Sequence, residues 1–86
     1  AQLVVMKISK DNAPYIITKP LHSTQQMLKE EEDGCIFSIQ VVWNFELERE
    51  ILGFGEQINV LSPRRLRNKI GHRLKTTLDH YINERI

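Results

Sequence analysis

The chain has 86 residues, 41% hydrophobic and 27% charged, which suits one small globular domain spanning residues 1–86 and leaves no room for a second. A formal net charge of +1 excludes a surface that is cationic all round. The single cysteine, Cys35, excludes an internal disulfide, and the apolar runs are far too short to span a bilayer.

The small net charge hides two opposed patches. Glu30, Glu31, Glu32 and Asp33 form an acidic run, and Arg64, Arg65, Arg67, Lys69, Arg73 and Lys75 a basic one. The chain opens on Ala1 without a signal-like segment, so a piece of a larger cytoplasmic protein is expected.

Leu3 to Ile8 is rich in β-branched residues and reads as a strand. Asp11-Asn12 followed by Pro14 starts a short helix over Ala13 to Lys19, which Pro20 ends. Ser23 to Glu31 reads as a polar strand, and Asp33-Gly34 as the turn of a hairpin. The return strand runs from Cys35 to Trp43. Cys35, Phe37, Ile39, Val41 and Trp43 alternate onto one face, the pattern of a central strand.

Asn44 is a good N-cap for a helix from Phe45 to about Leu52, with Glu46 and Glu48 in the dipole-favoured first turn. Leu47, Ile51 and Phe54 mark its apolar stripe, and Gly53 and Gly55 both suit a left-handed stop. Ile58 to Leu61 is a short strand. Ser62 as cap and Pro63 at the first helical position then open a helix reaching about Asn83. Its apolar stripe is Leu66, Ile70, Leu74, Leu78 and Tyr81. The order β-α-β-β-α-β predicts an α+β, ferredoxin-like split βαβ fold, an antiparallel four-stranded sheet with an additional long C-terminal helix. That helix must pack on a sheet edge, the open face or a partner.

The chemistry-bearing residues point away from catalysis. Cys35 falls on the apolar face of the central strand, where a thiol is structural. His72 and His80 are two helical turns apart, about 12 Å, too far to share a metal. Gly53-Phe54-Gly55 follows a helix and precedes a strand, the reverse of a phosphate loop. Trp43, Phe37 and Tyr81 read as core side chains rather than base-stacking platforms. No enzyme, cofactor or metal is expected.

The start of the last helix is different. Arg64, Arg65 and Arg67 oppose the helix dipole there, each at about 0.3–1 kcal/mol, and Arg65 stands where a capping box wants Glu or Gln. With Ser62 and the free N–H groups of the first turn they form a candidate anion site. Arg64, Arg67, Gly71 and Lys75 share one stripe. The alternative is a solvated basic face, or one paired with the acidic hairpin.

The stretch N-x-E-L-x-x-x-I-L-G-F-G-E-x-I-x-V-L-S-P-x-x-L-R, here Asn44 to Arg67, resembles the C-terminal extension (WCX) domain of WYL-domain transcriptional regulators. The segment Pro20-Leu21-His22-Ser23-Thr24-Gln25 is similar to the lead-in to that domain's second strand, and the likeness covers essentially the whole chain. It implies a ferredoxin-like fold in a bacterial, cytoplasmic regulator, preceded by a winged helix-turn-helix and a WYL domain. It also implies a share in dimerisation and a place beside an anionic effector, a nucleotide or nucleic-acid fragment. Operator DNA would be read by the helix-turn-helix domain, outside this chain. Within the matched motif, Ser62, Arg64, Arg65 and Arg67 are the candidate ligand residues. The competing expectation is a purely structural homodimerisation module.

Overall fold

The sheet is organised around alternation. A computed structural model describes residues 1–83. In strand β1 (Gln2–Ser9), Val4, Met6 and Ile8 are fully buried, and the odd-numbered residues face the other side. Strand β3 (Gly34–Val41) repeats the pattern with Cys35, Phe37 and Ile39. With β2 (Gln26–Glu31) and β4 (Ile58–Ser62) they form an antiparallel sheet in the order β2-β3-β1-β4. Helices α1 (Ala13–Thr18) and α2 (Phe45–Gly53) make the two crossovers, and α3 (Arg64–Asn83) follows β4. The split βαβ order and the long final helix are those the sequence predicts.

Loop chemistry explains where the boundaries differ. The second strand begins at Gln26 rather than Ser23 because side chains take over the preceding backbone. The Thr24 hydroxyl accepts the Gln40 N–H at 2.8 Å and donates to the Gln40 carbonyl at 3.2 Å. The Gln25 amide accepts from Leu21 N–H at 2.9 Å and donates to the Ile16 carbonyl at 3.0 Å, tying the loop to the end of α1.

The hairpin turn is centred on Glu32-Asp33, one residue before the expected Asp33-Gly34, since Glu31 pairs with Gly34. Gly34 lies in β3 opposite Ser9 and does not have a positive φ. It is required for closeness instead: a Cβ there would overlap the Ile8 carbonyl of β1. Among the described residues, the acidic hairpin pairs with the sheet and not with the basic helix. Lys7 on β1 reaches Asp33 at 2.7 Å and Glu31 at 2.9 Å. These contacts raise the Lys7 ammonium pKa and lower both carboxylates, Asp33 having the larger effect on Lys7.

Helix α2 starts as predicted, with Asn44 Oδ1 accepting the Leu47 N–H at 2.9 Å. Of the two glycines expected to stop it, only Gly55 takes the left-handed conformation, at φ 58°; Gly53 is its last helical residue. Gly55–Gln57 forms one 3-10 turn leading into β4.

Two expectations about α3 are corrected. Ser62 is the last residue of β4, not the cap, and Pro63 precedes the helix rather than opening it. The Arg67 N–H donates to the Pro63 carbonyl at 3.0 Å, so Arg64 is the first helical residue. Only Leu66 and Ile70 of the five-residue stripe enter the core. The cause is length: 20 residues of helix run about 30 Å, whereas five residues of β4 span about 17 Å, so the second half of α3 overhangs.

The two contrasting glycines make a stability test. Gly34→Ala should destabilise the domain by about 1–3 kcal/mol in urea denaturation, through overpacking against Ile8. Gly53→Ala, whose Cβ would meet nothing within 4 Å, should instead stabilise it by about 0.4–1 kcal/mol.

Candidate functional site

Trp43 continues the core-face parity of β3 two residues past its end, and the Asn44 cap turns the chain directly into α2. This brings Glu48, one turn into α2, back beneath the indole. Trp43 Nε1–H donates to Glu48 Oε2 at 2.7 Å. From α3, Arg73 donates to Glu48 Oε1 at 2.9 Å. Glu48 is 8% exposed, and both its oxygens are occupied. Its carboxyl is held below the ordinary glutamate value, chiefly by the Trp43 N–H and then by Arg73, against the opposing effect of burial.

Two cations stack on the aromatic groups of this junction. The Arg65 guanidinium lies 5.8 Å from the centre of the Trp43 ring, and Arg73 5.5 Å from that of Phe45. Lys69 stands between them on α3. Together these groups line an open cleft of about 680 Å³, with Gln2 and Asn44 at its margin. Arg65, Lys69 and Arg73 recur every four residues and so share a face of the helix. Glu48 neutralises Arg73. Arg65 and Lys69 have no ion-pair partner among the described residues, so the cleft carries an excess of positive charge beside exposed aromatic surface.

The four residues singled out from sequence do not converge. Arg65 alone joins the cleft. Arg67 turns to the opposite side, donating to the Val60 carbonyl at 2.6 Å and to Asn59 Oδ1 at 2.8 Å on β4. Arg64 is exposed, and Ser62 is half-buried at the end of its strand. Sequence reasoning missed Trp43, Phe45, Glu48, Lys69 and Arg73 as one constellation. The spacing of Arg65, Lys69 and Arg73 was the available signal, but a second basic stripe, through Arg64, Arg67 and Lys75, competed with it.

A four-stranded split βαβ sheet with a long C-terminal helix, a cation-lined, aromatic-edged cleft and a buried carboxylate makes this a small α+β domain. More narrowly, the chain belongs to the WCX domain family, whose model matches residues 1–78. It is therefore a module of the kind associated with WYL regulators. No curated protein matches the chain.

Glu48→Gln should cost about 1–3 kcal/mol at neutral pH, because Arg73 and the Trp43 N–H lose an ionised acceptor. A carboxyl whose folded value is depressed contributes fully above its unfolded value and loses that contribution as pH falls through the folded one. The gap between wild type and Glu48→Gln in chemical denaturation should accordingly close on acidification below the ordinary glutamate range.

Proposed function

We propose that this domain is the C-terminal regulatory and dimerisation module of a bacterial, cytoplasmic WYL-type transcriptional regulator. In this reading it follows WYL and helix-turn-helix domains of the same protein and is a binding domain rather than an enzyme. Its cleft contributes Arg65 and Lys69 to the site of an anionic effector, a nucleotide or nucleic-acid fragment.

The observation that carries this reading is the placement of Arg65 and Lys69 beside Trp43 and Phe45, with Glu48 committed to Arg73. A phosphate would meet two cations on one helix face, and a base would meet aromatic surface at the same opening. Such a ligand competes with no internal ion pair of Arg65 or Lys69 among the described residues, so binding need not break one. The WCX family assignment supports the regulatory context.

The test is effector titration of the full-length regulator. Arg65→Ala/Lys69→Ala should weaken affinity about tenfold or more, and the remaining binding should depend less steeply on salt. Arg64→Ala/Arg67→Ala removes the same charge from the other side of the helix and should have the smaller effect. Equal losses in the two double variants would mean a diffuse electrostatic contribution rather than a site at this cleft.

A further inference from the structure

The second half of α3 carries an apolar stripe that the domain leaves uncovered. Leu74, Leu78, Tyr81 and Ile82 are 45%, 55%, 81% and 66% exposed. Gly71, Leu74, Leu78 and Tyr81 recur at spacings of three, four and three, the seam of a helix that meets another helix. Glycine weakens a helix interior, and a Cβ at Gly71 would meet nothing within 4 Å, so the domain's own packing does not require it.

Gly71 lines a shallow groove of about 480 Å³ between α3 and β4, beside Ile58, Ile70 and Leu74. Arg67 also borders this groove, and its guanidinium occupies the Val60 carbonyl. That contact obstructs the addition of another strand at β4 and leaves the groove suited to a side chain.

We propose that α3 packs antiparallel against α3 of a second copy of this chain, with Tyr81 of each copy seated over Gly71 of the other. Antiparallel pairing sets each a position against a d position. Leu78 then meets Leu74, and the largest side chain of the seam meets the smallest. Lys75 comes onto the same side as Asp79 of the second copy. Parallel pairing would set Gly71 against Gly71, leaving a void. The pattern of small against large is self-complementary about one point between Leu74 and Leu78, as an isologous two-fold interface requires. An unrelated surface would have no reason to match that symmetry. The inference rests on the dimer half of the proposed function and is independent of the cleft.

Disulfide trapping in the full-length protein tests it. Chains carrying Gly71→Cys are co-expressed with chains carrying Tyr81→Cys and oxidised; the native Cys35 is buried and does not compete. The expected product is a disulfide joining the two kinds of chain, identified by peptide mass spectrometry, and little linkage in chains carrying Leu74→Cys alone. Efficient linkage through Leu74→Cys without the mixed product would establish parallel pairing and overturn the proposal. Absence of linkage in both arms, with thermal melts unchanged, would overturn helix pairing altogether. Trapping does not read effector binding, so the cleft and the helix pair fail separately.

Discussion

The carboxylate of Glu48 is the point at which three elements of this domain meet. It accepts from the Trp43 indole at the end of β3, sits on the first turn of α2, and accepts from Arg73 of α3. A buried carboxylate with an unfilled oxygen would be costly, and here each oxygen has a donor. The same contact fixes the rotation of α3. With Arg73 drawn to Glu48, Leu66 and Ile70 turn into the core, and Arg65 and Lys69 are carried to the cleft mouth.

That single rotation divides the labour of α3. One side of its first half closes the core over β4, and the adjoining side presents cations beside Trp43 and Phe45. Arg67, on the opposite side, is used internally on β4. The second half extends past the sheet and leaves its apolar side chains exposed. A proposed effector cleft and a proposed self-association seam therefore occupy different faces of one rigid helix. Binding at one could bias the other only by shifting α3 as a unit.

Much of the fold was legible locally. The alternation from Cys35 to Trp43 identified a central strand, and Asn44 marked the start of α2, because strand parity and capping depend on neighbours a few residues away. The errors were local as well. Asp33-Gly34 resembled a turn, but Gly34 is needed where β1 approaches β3, a contact between Gly34 and Ile8 that no short window contains. Ser62-Pro63 resembled a cap followed by a first helical residue, but the pairing of β4 with β1 extends to Ser62 and claims it as strand.

The sequence by itself determined the element order, the core faces of the strands and the presence of a basic final helix, since periodicity and caps act over one or two turns. The tertiary structure alone decided which basic stripe faces the cleft beside Trp43 and Phe45. Arg65, Lys69 and Arg73 and the stripe through Arg64, Arg67 and Lys75 are equivalent as patterns on an isolated helix. They become different only when Glu48, 25 positions before Arg73, draws one of them against α2 and leaves the other toward β4 and solvent.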